Sequence, residues 1–137
     1  MMNSLRPQFQ RAFTLVEIMI IVALIAMIAA IGVPNFLRAR KRAQATRILD
    51  DLRLVDGALD LYATEHSKGT GDTAEWADLQ PYLKKNTALY SCQGRDLLGN
   101  PFNGGVFSVD SVPKLHSASF ASLSDIAPSD FWSPFAP

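Results

Sequence analysis

The feature that most constrains this chain is a long apolar segment near its N-terminus. Residues 13–37 read FTLVEIMIIVALIAMIAAIGVPNFL, and Glu17 is their single ionisable side chain. These 25 residues would form a helix roughly 37 Å long, which exceeds the hydrocarbon thickness of about 30 Å of a lipid bilayer. The segment is therefore predicted to be a membrane-spanning helix.

The residues that precede this segment have a different character. Residues 1–12, MMNSLRPQFQRA, are polar and contain Arg6, Arg11 and a proline. They show no apolar periodicity that would support a packed element. We expect them to be a leader peptide that is cleaved from the mature protein.

The residues after the apolar segment carry an amphipathic helical pattern. Its apolar positions recur every three or four residues within residues 38–66. They are Ala45, Ile48, Leu52, Val55, Leu59 and Tyr62. A continuous helix from Phe13 to His66 would hold 54 residues and extend roughly 80 Å, more than a small domain can enclose. Residues 38–66 are therefore expected to be the second half of one long helix, and to pack on a C-terminal head.

Two residues weaken the middle of this helix. Pro34 lacks an N–H group and clashes with the preceding turn, and Gly32 has low helix propensity. A kink or a point of local melting is expected there.

Residues 67–137 are expected to form the head. Asp72, followed three residues later by Glu75, has the form of a capping box and predicts a short helix. That helix would turn three apolar side chains inward: Trp76, Leu79 and Leu83.

Short strands are predicted in the rest of the head. Residues 89–92 and 97–98 are brief apolar runs, and residues 106–109 follow an Asn-Gly-Gly turn signal at 103–105 that indicates a hairpin. The aromatic end, 120–137, is too apolar for a disordered tail and is expected to lie on the sheet. The predicted class is α+β, with one long N-terminal helix packed on a small antiparallel sheet and a short helix.

A motif directly before the apolar run carries a family resemblance. Residues 10–17 read QRAFTLVE, which closely resembles the processing signal of type IV prepilins and type II secretion pseudopilins. The resemblance implies cleavage between Ala12 and Phe13, N-methylation of Phe13, and a carboxylate, here Glu17, held within the apolar helix. Ala12 stands where the family usually has glycine, and Pro34 falls where these helices commonly carry a proline.

A second stretch favours the pseudopilin branch. Residues 96–102, DLLGNPF, look like the DPWGNPY-type segment that begins the C-terminal sheet of major pseudopilins, with leucines in place of proline and tryptophan. The resemblance also implies a calcium ion held by oxygen ligands in a C-terminal loop, for which Asp110, Asp125 and Asp130 are the available carboxylates. The alternative is that these three are solvated turn residues.

Glu17 requires a physical explanation of its own. A carboxylate inside a membrane helix is costly unless it is neutralised or paired. Cleavage before Phe13 would create an amino-terminal cation, and methylation retains its charge. In a staggered filament, Glu17 of one subunit could then meet Phe13 of another at low dielectric. The alternative is that Glu17 is protonated or satisfied by its own N-terminus.

The resemblance implies a structural subunit of a type II secretion pseudopilus or a type IV pilus-like filament. The implied partners are a prepilin peptidase/methyltransferase, other copies and other pilin-like subunits, an assembly platform protein and an ATPase. The chain would cross the bacterial inner membrane once, with its head in the periplasm and the assembled filament in the periplasm or at the cell surface. The distribution of basic residues predicts the opposite orientation. Residues 38–47 contain five basic side chains and the leader contains two, which favours a cytoplasmic head.

The composition of the chain limits which classes of function remain possible. The charges of 13 basic and 13 acidic residues give a formal net charge of zero. This balance gives no sign of a nucleic-acid partner. The single cysteine, Cys92, excludes an internal disulfide, and His66 and His116 leave little metal-binding capacity. We find no catalytic motif, so the chain is expected not to be an enzyme.

Two other classes of protein stay open. One is a soluble binding domain exported by an ordinary signal peptide cut after residues 30–32, and the other is a single-pass membrane-anchored receptor. Glu17 argues against the signal peptide, because a charge has no use inside its apolar region.

Overall fold

The structure is a computed structural model, and it describes residues 13–137. The predicted leader, including Ala12, lies outside these residues. Helix α1, Leu15–Glu65, contains 51 residues and is the longest element. The described chain divides after Leu37 into two compact units, of which the second is Arg38–Pro137.

Helix α1 continues through Gly32 and Pro34 without interruption. The expectation of local melting at this point is therefore wrong for the isolated chain. Pro34 removes one backbone hydrogen bond, whereas the turns on either side keep theirs, so the loss is local.

The second half of α1 supplies one side of the core. Every apolar position predicted from the periodicity is buried, and Leu49 and Ala58 join them. They pack with residues from the rest of the head into one hydrophobic cluster, whose largest fully buried side chains are Trp132, Phe102 and Phe107. The predicted packing face is confirmed.

The sheet is small and joins distant parts of the head. Strand β1, Thr73–Glu75, pairs antiparallel with β2, Val106–Ser108, and Ala74 lies opposite Phe107. The predicted hairpin at 103–105 is wrong, because Phe102–Gly105 forms a 3₁₀ turn in which Asn103 and Gly104 have positive φ. The Asn103 amide instead donates to the Lys114 carbonyl at 3.0 Å. The α+β class itself is confirmed.

The predicted short helix near Trp76 is present, but other residues cap it. Helix α2, Trp76–Leu79, leads into a 3₁₀ turn, Gln80–Tyr82. Its N-terminal bond runs from the Glu75 amide to the Asp78 carboxylate at 2.9 Å, so the capping box begins three residues later than predicted. The carboxylate of Asp72 instead accepts from the Gly69 amide at 3.0 Å.

The predicted strand at 89–92 is wrong as well. These residues lie in helix α3, Ala88–Ser91, and in its C-cap. Thr87 explains the start of this helix, because its hydroxyl accepts a hydrogen bond from the Tyr90 amide at 3.2 Å. The apolar run was too short for its periodicity to distinguish a strand from one helical turn.

The C-terminal region packs into the core, as its aromatic content predicts, and it contains two helices. They are α4, Ser117–Leu123, and α5, Ser129–Trp132. The Trp132 indole donates to the Ala127 carbonyl at 3.0 Å, and the Leu115 amide donates to the Phe135 carbonyl at 2.9 Å. These bonds satisfy the polar groups that burial of the aromatic side chains takes out of water.

Candidate assembly site at the N-terminal helix

The start of α1 is fixed by Thr14. Its hydroxyl accepts a hydrogen bond from the Glu17 amide at 3.2 Å, and its carbonyl accepts from the Ile18 amide at 3.3 Å. Thr14 is therefore the N-cap, and it satisfies one of the free amides of the first turn. Sequence reasoning missed this role, although a threonine three residues before a glutamate is the recognised signal for such a cap.

Glu17 lies in the first turn of α1 and is exposed. Within residues 13–137 its carboxylate has no salt-bridge partner. A negative charge near a helix N-terminus is favoured by the helix dipole, but only by a few tenths of a kcal/mol to about 1 kcal/mol. That gain is small against the cost of a carboxylate in an apolar medium, so in such a medium Glu17 would have to be neutralised or paired.

Phe13, the predicted first residue of the mature chain, lies four residues before Glu17 and is 75% exposed. The structure thus brings Phe13, Thr14 and Glu17 together at one end of α1. The predicted cleavage bond cannot be placed, because Ala12 lies outside the described residues.

The apolar half of α1 is exposed over its full length. Its large side chains, such as Ile28 at 73%, have no cover within the described chain. This helix is long and apolar enough to cross a membrane. A surface of this kind requires lipid or other helices around it.

Five small residues are interspersed among the large apolar side chains of this helix. They are Ala23, Ala26, Ala29, Ala30 and Gly32. A side chain added at Gly32 would meet no atom within 4 Å in the isolated chain. Small residues of this kind permit close approach between two helices. Pro34 lies two residues further along the same helix.

Comparison with known proteins agrees with this geometry. The family described as "Prokaryotic N-terminal methylation motif" matches residues 8–33. The "Type II secretion system core protein G" of Klebsiella pneumoniae is 36% identical over 61 residues, which cover 44% of each chain. The protein of the same name from Escherichia coli K12 is 31% identical over 87 residues, covering 62% of this chain and 60% of its own.

The chain is therefore similar to type II secretion core proteins G, and it carries the N-terminal methylation motif at residues 8–33.

A pilus protein is also among the relatives of this pilin-like chain. The "Type IV wide pilus major component PilA4" of Thermus thermophilus is 36% identical over 64 residues, covering 47% of this chain and 49% of its own. The matches to these relatives span about half of their length. No solved structure matches the chain.

The three carboxylates considered for calcium lie at separate places in this pilin-like head. Asp110 accepts a hydrogen bond from the Gly71 amide at 2.6 Å, and Asp125 accepts from Lys41 Nζ at 2.8 Å. Asp130 lies in the first turn of α5. Among residues 13–137, no group of three or more His, Cys, Asp or Glu side chains is arranged to hold a metal ion.

The remaining reactive side chains have structural partners. His66 Nδ1 lies 3.2 Å from the Tyr62 carbonyl, and His116 Nδ1 accepts from the Ala118 amide at 3.1 Å, which caps α4. Cys92 is half-buried, and burial raises the pKa of its thiol. A raised pKa lowers the thiolate fraction and makes the cysteine less reactive.

The pseudopilin-like segment 96–102 forms a loop held by side-chain hydrogen bonds. The buried carboxylate of Asp96 accepts hydrogen bonds from the amides of Leu98 and Asn100, both at 2.9 Å. The side chain of Asn100 donates to Ser119 Oγ at 2.8 Å. The resemblance identified this segment, but it gave no indication that Ser119 would hold it.

Proposed function

We propose that this chain is a structural subunit of a filament assembled from the inner membrane, either a type II secretion pseudopilus or a type IV pilus-like fibre. The observation that carries the proposal is an N-terminal methylation motif that runs directly into an exposed apolar helix, whose one carboxylate has no salt-bridge partner among residues 13–137. The names of the relatives, most of which are type II secretion core proteins, favour the pseudopilus.

Processing would prepare the chain for assembly. A prepilin peptidase/methyltransferase cuts between Ala12 and Phe13 and methylates the new amine, which keeps its positive charge. Glu17 of one subunit then pairs with the Phe13 amine of a neighbour displaced along the filament axis. Because both groups lie among apolar side chains, their attraction is far stronger than it would be in water.

The same apolar helix would serve two environments. Before assembly it anchors the chain in the bilayer, and in the filament it packs against the helices of other subunits. Its small residues permit close approach between backbones. Gly32 and Pro34 would let the helix unwind locally as the subunit leaves the lipid.

Localisation and partners follow from this assembly route. We place the head in the periplasm and the single span in the inner membrane, with the filament in the periplasm or at the cell surface. An assembly ATPase and a platform protein drive polymerisation with other copies and other pilin-like subunits. The chain itself is not an enzyme under this proposal, and it binds no nucleic acid.

The experiment that tests the proposal is the intact mass and N-terminal sequence of the protein from membranes with and without the prepilin peptidase. We expect a peptidase-dependent N-terminus at methylated Phe13. A start near Val33 would support an ordinary exported domain, and an uncut Met1 in both strains would support a membrane-anchored receptor. Either result would overturn the filament proposal.

A further inference from the structure

The basic residues that follow the apolar segment are not accounted for by filament assembly. Between Glu17 and Asp50 the chain has no acidic residue, and all its charges in that interval are positive. They are Arg38, Arg40, Lys41, Arg42 and Arg47. Beyond this interval the sign reverses, because residues 50–60 contain four aspartates and one arginine. The charge of α1 is thus strongly asymmetric along its axis.

Two of the five cations are engaged most directly by acidic side chains of the folded head, and Arg38 adds a smaller effect, because its charge, after the larger effect of Lys41, helps to lower the pKa of Asp125. Lys41 forms a salt bridge of 2.8 Å with Asp125. Arg47 lies close enough to Asp51 to lower the pKa of that carboxyl, against the larger effect of burial, which raises it. Neither residue has its charge fully available to a partner.

The other three, Arg38, Arg40 and Arg42, are exposed and form no salt bridge within residues 13–137. On a helix with 100° between residues, Arg38 and Arg42 share one face and Arg40 lies on the opposite flank. They therefore lie on two opposite faces of α1 immediately after its apolar half. We call these three residues the arginine girdle.

We propose that the arginine girdle binds the phosphates of anionic phospholipids at the membrane surface where the span ends. The inference rests on the proposed membrane insertion of residues 13–37. An apolar helix of this length ends at the level of the headgroups, and arginines directly after it reach the lipid phosphates with their charged ends. The guanidinium group offers paired N–H donors that match a phosphate.

The distribution of charge favours a lipid partner over an acidic protein surface. A protein partner covers one side of a helix, whereas the girdle extends to opposite flanks of α1. Lipid headgroups surround a single-span helix on all sides. The girdle would also hold the span at a fixed depth until the subunit enters a filament, since each arginine adds to the attraction of an anionic surface.

The test is native mass spectrometry of the full chain in detergent micelles supplied with phosphatidylglycerol or phosphatidylcholine. We expect preferential retention of phosphatidylglycerol. The triple variant Arg38→Gln, Arg40→Gln, Arg42→Gln should weaken that binding by at least about tenfold. A matched control, Lys68→Gln, Lys84→Gln, Lys85→Gln, removes the same charge from exposed or half-exposed head positions and should bind as the parent does.

Three results would overturn the proposal. They are equal retention of the two lipids by the parent chain, equal loss in the triple variant and the lysine control, and displacement of phosphatidylglycerol by millimolar inorganic phosphate. If the triple variant keeps its lipids and instead fails to form filaments, the girdle contacts protein, which also contradicts the proposal.

Failure of the girdle and failure of the proposed function are distinguishable. Resistance of the reconstituted chain to alkaline extraction from vesicles reports membrane insertion, and the mass of the N-terminus reports processing. Both readouts should be unchanged in the triple variant. Arg→Lys at the three positions keeps the charge and should restore most of the phosphatidylglycerol binding.

Discussion

The hydroxyl of Ser119 donates a hydrogen bond to the carboxylate of Asp96, and both side chains are buried. Asp96 also accepts the amides of Leu98 and Asn100, and Asn100 returns a bond to Ser119. The loop 96–102 is thereby tied to helix α4, which lies about twenty residues further along the chain. A buried carboxylate is tolerated here because its hydrogen-bonding capacity is largely used.

Replacement of Ser119 should destabilise the head. Ser119→Ala removes a donor to Asp96 and the acceptor of Asn100, and leaves both partners incompletely bonded in the interior. We expect a loss of about 1–3 kcal/mol in the free energy of unfolding. Urea denaturation in detergent micelles, followed by tryptophan fluorescence, measures this change.

Ser122→Ala is the control for that experiment. Ser122 lies on the same helix, but its hydroxyl is exposed and bonds only the Ala118 carbonyl, at 2.9 Å. Its replacement should change stability by less than about 0.5 kcal/mol. Equal effects of the two substitutions would show that the Asp96 contact contributes nothing.

Two glycine-to-alanine changes should shift stability in opposite directions. Gly94 has φ +76, and a Cβ added there would lie 3.2 Å from the side chain of Trp76. Gly94→Ala should therefore cost about 1–2 kcal/mol from the left-handed backbone alone. Gly57 is an exposed position in α1 with open space around it, and Gly57→Ala should stabilise by about 0.5–1 kcal/mol. Thermal or urea unfolding measures the change in stability of each variant. A stabilising effect of Gly94→Ala would contradict the claim that alanine is strained at this position.

The hydroxyl of Tyr82 should lose its proton only at an unusually high pH. Its hydroxyl donates to the carboxylate of Glu65, and this bond, with smaller effects of burial and of the Glu65 charge, raises the pKa of Tyr82 to about 12. Because the folded-state pKa exceeds the usual value of about 10, the contact stabilises the fold fully below pH 10. That stabilisation is lost as pH rises from about 10 to about 12.

Ultraviolet absorbance of tyrosinate follows this titration. The parent chain should show one tyrosine ionising at about pH 12, and Tyr82→Phe should lose that step. Glu65→Gln replaces the carboxylate by a weaker, neutral hydrogen-bond acceptor and removes its charge, so the step should move toward pH 10. A titration unaffected by Glu65→Gln would exclude the carboxylate as the cause.

The charge of Glu17 should be required for assembly. Glu17→Gln removes the charge but keeps a residue that suits the third position of a helix capped by Thr14. We expect loss of filament formation with unchanged helix content, measured by electron microscopy and circular dichroism. Glu65→Gln, at the far end of the same helix, should leave filaments intact. Normal filaments with Glu17→Gln would refute the pairing with Phe13.

The segment around Pro34 should exchange faster in filaments than in membranes. The isolated chain is helical across Gly32 and Pro34, so we expect local unwinding only as a response to assembly. Hydrogen exchange of residues 30–34 in micelles and in assembled filaments measures it. Full protection of this segment in the filament would exclude unwinding.

The sequence alone determined the long helix and the face it buries. Residues 45–62 repeat their apolar positions over five turns, and each repeat reinforces the same hydrogen-bonding pattern within one segment. The candidate assembly site is equally local in sequence, because Phe13 and Glu17 lie about one helical turn apart. Only the cap by Thr14 was missed, although its motif is in the sequence.

Only the tertiary structure decided the arrangement of the head. Strand β1 finds its partner β2 about thirty residues later, and each strand has three residues, too few to display a period. The same limit applies to α3, a single turn that was predicted to be a strand. The bond between Asp96 and Ser119 likewise joins residues that no local pattern connects. Short elements gain their stability from contacts with distant residues, and for that reason their conformation is settled by the packed core.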